Sequence, residues 1–171
     1  EARVPNVPTM LLELLSHQNL ADMRYGLDPT FRFTVSRAIY KGMLKFIAGQ
    51  YNRPYVVQPL PVQQFSAAFT GETEIELKWE ETPDAAEPTA KAQQYIIYTR
   101  IGDGGFDNGT PVDKNVYRLR IEKDKIYRFK VAAVNGGGQS FPSEILSVCR
   151  KSDEKGVALI VNGKDFRREA L

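Results

Sequence analysis

The run from Ile126 to Glu144, IYRFKVAAVNGGGQSFPSE, constrains the fold of this 171-residue chain more than any other segment. Four apolar side chains occupy every second position at its start: Tyr127, Phe129, Val131 and Ala133. This spacing is typical of a strand that buries one face. A Gly-rich turn at 136–138 follows, and Ser-Phe-Pro-Ser opens another extended stretch. The run therefore predicts two adjacent antiparallel strands joined by a tight turn.

The same two-residue period extends upstream over residues 53–151. Alternating segments begin near Glu74, Tyr95 and Tyr117. Between them lie turn-forming sequences such as Thr82-Pro83-Asp84, the glycines of 102–105 and Asn108-Gly109. About seven short strands in about 95 residues predict a two-sheet β-sandwich. We interpret the Gly-rich, acidic segment 102–109 as a turn, because it lacks the spacing of an EF-hand calcium loop.

Residues 1–52 carry a different pattern. The short apolar run of residues 9–15 predicts a buried strand. Asp28 and Pro29 then form a start signal for a helix over residues 29–48. Its apolar stripe consists of Phe31, Val35, Ala38, Ile39, Gly42, Met43 and Phe46, and Gly49 is the expected end. Because one strand and one helix cannot bury themselves, we expect this part to be the tail of an α/β domain.

The tail, residues 152–171, begins with charged residues and continues into the apolar Val157–Val161 segment. We expect it to start a further domain, although a terminal strand can also join an existing sheet.

Composition excludes several classes of function. A net charge of +2 gives no basic footprint for nucleic acid, and no apolar run is long enough to span a membrane. His17 and Cys149 are the only residues of their types. They supply no internal disulfide and no cysteine-based zinc site, and a Ser-His-Asp triad would need His17 as its base.

Residues 53–151 resemble a fibronectin type III domain. The shared motifs are Leu77-Lys78-Trp79, Tyr95–Thr99, the alternating run from Tyr127 to Gly138, and Ser140 with Pro142-Ser143. The resemblance implies a mainly β, seven-stranded, Ig-like sandwich with an N-terminal strand-plus-helix appendage. It also implies a core that contains Trp79, Tyr127, Phe129 and Val131, with the Tyr127 hydroxyl bonded back to the chain before its strand.

Residues 1–50 resemble the C-terminal end of a zinc-dependent N-acetylmuramoyl-L-alanine amidase. The matching segments are 8–13, 16–19, 28–32 and 38–43. The resemblance implies that Glu13 is a remnant of the general base beside a zinc-bound water. The alternative is a solvent-facing Glu at a strand end. The family's zinc ligands lie upstream of this chain, so we expect no cofactor and no amidase activity from the chain alone.

Together these features predict a non-catalytic spacer or docking module of a bacterial cell-wall or polysaccharide-processing enzyme, located in the periplasm, on the cell surface or outside the cell. We expect Ile96 and Tyr98 to receive the helical stripe, through Phe31, Val35, Ile39, Met43 and Phe46. The expected partners are neighbouring domains of the same polypeptide and possible cell-wall glycan or peptidoglycan. Two alternatives stay open: a carbohydrate- or peptide-binding module using Tyr98, Phe106 and Tyr117, and part of an active zinc amidase.

Overall fold

The computed structural model describes residues 6–161. The chain divides into two compact units, Glu1–Met43 with Ile160–Leu171, and Leu44–Leu159. The larger unit contains a sandwich of two antiparallel sheets. Its strands are β1 (Gln63–Phe69), β2 (Glu74–Glu80), β3 (Gln94–Ile101), β4 (Thr110–Val112), β5 (Val116–Arg120), β6 (Tyr127–Asn135), β7 (Gly138–Gln139) and β8 (Leu146–Val148).

One sheet has the order β1-β2-β5, and the other has the order β4-β3-β6-β7, with β8 also paired to β6. The predicted mainly β, two-sheet architecture is confirmed. Eight strands replace the expected seven because β7 and β8 are two pieces along one edge of β6. Pro142 lies between them and has no N–H to donate to the ladder.

The core fills the space between the sheets. Trp79, Phe129 and Val131 are almost completely inaccessible to solvent, and Tyr127 is buried beside them. The Trp79 ring meets the Tyr95 ring edge to face, with 5.3 Å between their centroids. Alternation of inward and outward side chains therefore places every second residue of β3 and β6 on the outer face.

The smaller unit contains helix α1 (Leu20–Leu27) and most of helix α2 (Pro29–Gln50), whose last turns belong to the sandwich unit. Helix α2 begins as the sequence indicates, since the Asp28 carboxylate accepts the Thr30 N–H at 2.8 Å. Helix α1 is absent from the sequence-based expectations. Its N-cap, Asn19, accepts the Ala21 N–H at 2.9 Å, and this capping residue is the signal that could have revealed it.

Helix α2 does not end at Gly49 as expected but continues to Gln50. Asn52 takes the left-handed conformation, with φ of 46°. The Arg53 N–H then reaches back to the Ala48 carbonyl at 2.9 Å, and the Asn52 N–H reaches Gly49. These are the two hydrogen bonds of a Schellman motif, so Asn52 ends the helix instead of Gly49.

The strand predicted at residues 9–15 is wrong: this segment has no regular secondary structure and its side chains are exposed. A strand needs a neighbour to accept and donate its backbone hydrogen bonds, and no other strand of residues 6–161 pairs with it. Val157–Val161 likewise has no regular secondary structure and is exposed within the described part. The rest of the predicted tail, residues 162–171, lies outside the described residues.

Candidate functional site

The structure forms two anchor points on the sandwich unit, one where the chain enters it and one where it leaves. We name the first the entry clamp: Asn135, Gly137, Glu87 and Thr89 around the linker 55–58. Asn135 is buried at the end of β6, and its side-chain amide faces three backbone carbonyls, those of Val57, Thr89 and Lys91, at 2.9, 3.1 and 3.2 Å. The Asn135 side chain therefore connects the end of β6 to the linker and to residues 89–91, both of which are distant from it in sequence.

Gly137 allows the linker to cross the β6–β7 turn at very short range. A Cβ atom at this position would lie 2.2 Å from the Val56 carbonyl oxygen and 2.9 Å from the Gln58 nitrogen. The Asn135 side-chain oxygen also accepts the Gly137 N–H at 2.8 Å, which fixes the turn. The linker and the turn thus touch through backbone atoms, a contact that only glycine permits.

Glu87 completes the entry clamp with a buried charge. Its carboxylate accepts the Thr89 hydroxyl at 2.9 Å, and the same Thr89 oxygen accepts the Val57 N–H at 3.1 Å. The Lys45 ammonium of α2 lies 3.1 Å from the other carboxylate oxygen. Glu87 first, and then the Tyr55 side chain, raises the pKa of Lys45 above its usual value. The last turns of α2 are therefore joined to the sandwich by an ion pair.

The exit anchor lies where β8 leads into residues 150–152. Asp124 has a φ of 62°, and its carboxylate accepts the Ser152 hydroxyl at 2.6 Å and lies 2.9 Å from the Lys151 ammonium. The Ser152 hydroxyl and then Lys151 lower the pKa of Asp124 to about 2.

Arg150 forms the second half of the exit anchor. Its guanidinium donates to the Glu72 carbonyl at 2.8 Å and sits 4.0 Å from the centroid of the Phe69 ring. It also pairs with Glu154 at 2.7 Å. The β1–β2 turn, the β5–β6 turn and the departing chain are thus held together.

The two anchors lie at opposite ends of the strands. Strand β6 starts at Tyr127, next to the exit anchor, and ends at Asn135 in the entry clamp. At the usual rise per residue its nine residues span about 30 Å. The chain consequently enters at one end of the sandwich and leaves at the other.

The outer face of the β4-β3-β6-β7 sheet holds aromatic and cationic side chains. The Lys130 ammonium lies 4.4 Å from the centroid of the Phe106 ring and 5.2 Å from that of Tyr98. The amide of Gln139 donates to the Tyr98 hydroxyl at 2.9 Å. Ile96 and Tyr98 are partly covered by the loop at Gly109, where a Cβ would lie 2.4 Å from Ile96.

The structure brings together some of the sequence-predicted residues. The rings of Tyr98 and Phe106 both contact the Lys130 ammonium, whereas Tyr117 packs against the core. On α2, Phe31, Val35 and Ile39 are half-buried, and Met43 and Phe46 are about half exposed. Docking of this stripe on Ile96 and Tyr98 stays a prediction.

Glu13 lies in an exposed segment without secondary structure. Within residues 6–161 no group of three His, Cys, Asp or Glu side chains is arranged to hold a metal ion. In the same range, no helix combines the length and apolar character needed to cross a membrane.

The Tyr127 hydroxyl accepts the Glu122 N–H at 3.2 Å, five residues before it. This is the local bond expected of a tyrosine at the start of this strand in a sandwich. Of the anchor residues, Asn135 belongs to the motif shared with fibronectin type III domains, but the sequence does not indicate its three carbonyl partners. The partners of the anchor residues are distant in the chain, and besides Asn135 only the glycine run at 136–138 points to one of the two anchors.

Neither a scan against protein-family models nor a search of curated proteins gave a match. Among solved structures, the twitchin kinase region from C. elegans is similar at 22% identity and a TM-score of 0.48; the match covers 58% of this chain and 18% of that one. The FN5 domain of Drosophila Lar is similar at 20% identity and a TM-score of 0.41, over 54% and 97%. FN3tt mut is similar at 23% identity and a TM-score of 0.45, over 54% and 97%. Fibronectin type III domains are therefore among the structural neighbours of the sandwich.

Proposed function

We propose that this chain is a non-catalytic spacer and docking module of a multidomain protein. The observation that carries the proposal is the pair of anchors at opposite ends of the sandwich. A spacer must fix the points at which the neighbouring polypeptide enters and leaves, and both points are held here by side chains instead of flexible loops. The buried Asn135 at entry and Arg150 at exit are the main supports.

The parent protein that we propose is a bacterial cell-envelope or polysaccharide-processing enzyme. This rests on the resemblance of residues 1–50 to the end of a zinc-dependent amidase. Glu13 would then belong to a catalytic domain whose zinc ligands are supplied by other residues than those of this chain. The chain itself acts as the part that positions this catalytic domain.

Backbone ¹⁵N relaxation of the whole chain tests the spacer role. Residues 44–58 are expected to have the order parameters of the sandwich strands, about 0.85. The variant Lys45→Met removes the ion pair to Glu87 and is expected to lower the order parameters of residues 44–50 only. Lys91→Met is the matched control, since the Lys91 side chain is exposed and only its carbonyl takes part in the clamp.

Order parameters below about 0.6 across residues 44–58 of the unmodified chain would contradict a fixed entry. The catalytic alternative is tested separately. Stoichiometric zinc bound to the purified chain, measured by metal analysis after dialysis, would contradict the non-catalytic role.

A further inference from the structure

The outer faces of the two sheets differ in whether their Lys and Arg side chains form ion pairs with carboxylates. On the β1-β2-β5 sheet, Arg118 pairs with Glu76 at 2.6 Å and Arg120 pairs with Glu74 at 3.0 Å. Lys78 also lies 2.9 Å from Glu76. Each cation of this face that projects from β2 or β5 therefore has a carboxylate beside it.

The opposite sheet has a group that we name the cationic strip: Arg100, Arg128 and Lys130, with Tyr98, Phe106 and Gln139 around them. All three cations project from the outer face of β3 and β6 and are half-buried. Among residues 6–161, none of the three has a carboxylate within ion-pair distance. This face consequently has uncompensated positive charge.

Two of these cations are held close together. Arg100 and Arg128 are directly opposite each other in the β3–β6 register. Both donate to the same carbonyl oxygen, that of Gly102, at 3.3 and 2.6 Å. Like charges in directly opposed positions destabilise a sheet. A bound anion would relieve this repulsion, and two guanidinium groups directed at one point are suited to a carboxylate.

The third cation is held in place by aromatic rings. Lys130 is directly opposite Tyr98 in the register, and its ammonium lies over the Tyr98 and Phe106 rings. At the usual rise of a strand, Lys130 and Arg128 are separated by about 7 Å along β6. Rings that fix a flexible lysine reduce the entropy lost when it binds a ligand.

Within residues 6–161, the nearby carboxylates of Asp103 and Asp107 form no ion pair with the strip. The Asp107 carboxylate accepts the backbone N–H groups of Thr99 and Gly109, both at 3.0 Å, which hold it against its own loop. Asp103 follows Gly102 in the chain, is exposed and forms no ion pair with the arginines. The three cations of the strip thus have no carboxylate paired with them in the described part of the chain.

We infer that the cationic strip binds an acidic polysaccharide, one whose sugar units bear carboxylates. The charges select the anion, and the Tyr98 hydroxyl and the Gln139 amide lie where sugar hydroxyls could exchange hydrogen bonds with them. A nucleic acid is disfavoured, because three cations neutralise few phosphates and the chain carries a net charge of only +2. This site is additional to the spacer role, and neither depends on the other.

Titration of the ¹⁵N-labelled chain with tetragalacturonate tests the inference. We expect chemical-shift changes concentrated at residues 98–106, 128–130 and 139. The fully methyl-esterified tetramer has the same sugar backbone without charge and is expected to cause no comparable shifts. Raising the salt concentration is expected to weaken binding of the acid form.

The double variant R100Q/R128Q is expected to weaken tetragalacturonate binding about tenfold or more, since hydrogen bonds between charged groups are lost. R100K/R128K keeps the charge and is expected to restore part of the affinity. K91Q/K114Q removes the same charge at two exposed lysines outside the strip and is expected to bind normally. Thermal unfolding checks that each variant is folded.

Three results would overturn the inference. The first is equal binding of the acid and the methyl ester. The second is unchanged affinity in folded R100Q/R128Q. The third is tighter binding of a single-stranded DNA oligonucleotide than of tetragalacturonate at the same residues, which would assign the strip to nucleic acid.

Discussion

The side-chain amide of Asn135 donates to the carbonyl oxygen of Val57, 78 residues earlier in the chain, at 2.9 Å. Val57 is completely buried, so its carbonyl has no access to water as an alternative partner. The turn that follows Asn135 is also the surface on which the linker rests, through Gly137. A hairpin of the sandwich therefore fixes the point at which the chain enters it.

Replacing Asn135 with alanine is expected to destabilise the sandwich by about 3 kcal/mol, because the buried Val57 carbonyl and the part-buried Thr89 and Lys91 carbonyls lose their donor. Urea unfolding followed by Trp79 fluorescence measures the change. Asn108→Ala is the control, since Asn108 is exposed in a loop and is expected to change stability by less than about 0.5 kcal/mol. Equal effects of the two substitutions would contradict the role assigned to Asn135.

The glycine run allows a closer test, because adjacent glycines differ in their surroundings. Gly137→Ala places a Cβ against the Val56 carbonyl and is expected to destabilise by about 1–3 kcal/mol. At Gly136, in contrast, an added Cβ would meet no atom within 4 Å, and the backbone has no positive φ. Gly136→Ala is therefore expected to be neutral or to stabilise by up to about 1 kcal/mol.

Thermal unfolding of the two variants gives the comparison, and amide exchange at Val57 reports whether the linker has detached. Faster exchange at Val57 is expected in Gly137→Ala only. Similar unfolding temperatures for the two variants would show that the linker does not need the close approach at Gly137.

The glycine run also shows how far sequence reasoning reaches. The run predicts turn geometry, and Gly138 does have a φ of 127°. Gly137, however, is required by the linker that passes over it, and nothing near Gly137 in the sequence identifies Val56 as its neighbour. Local patterns predict local structure, whereas the contact depends on how distant segments pack.

The difference between local patterns and the packing of distant segments also explains why other sequence-based predictions succeed or fail. Alternation in β6 is predictable, because burial of one face requires it residue by residue. The Asp28 cap is predictable for the same local reason. The apolar segment 9–15 looks like a strand in isolation, but a strand depends on a hydrogen-bonding neighbour, which the sequence pattern does not specify. The ion pair between the buried Glu87 and the exposed Lys45 escapes prediction because neither residue belongs to a motif.

Tyr127→Phe tests the local bond at the start of β6. The substitution keeps the buried ring but leaves the Glu122 N–H without its acceptor. We expect a loss of about 1 kcal/mol, with an unchanged dependence of the unfolding free energy on urea concentration. Tyr117→Phe is the matched control, because no hydrogen bond of the Tyr117 hydroxyl is formed within residues 6–161. A larger loss in Tyr117→Phe would contradict the assignment.

Asp124 makes the exit anchor dependent on pH. The pKa of its carboxyl is lowered from 3.8 to about 2 in the folded chain, first by the Ser152 hydroxyl and then by Lys151. A lowered folded-state pKa means that the carboxylate stabilises the fold above a pH of about 4 and that this stabilisation is lost as the pH falls toward 2. Asp124→Asn keeps the side-chain shape and tolerates the positive φ, so the substitution removes mainly the charge.

We therefore expect Asp124→Asn to lower the unfolding temperature at pH 6, and to differ less from the unmodified chain at pH 2. Thermal unfolding at both pH values measures the two differences. Ser152→Ala is expected to act through the same bond, so the double variant at pH 6 should be less destabilised than the sum of the single variants. Two results would show that the Asp124–Ser152 contact does not hold the exit. One is a decrease in unfolding temperature for Asp124→Asn that is the same at pH 6 and pH 2. The other is a double variant whose destabilisation equals the sum of the two single variants.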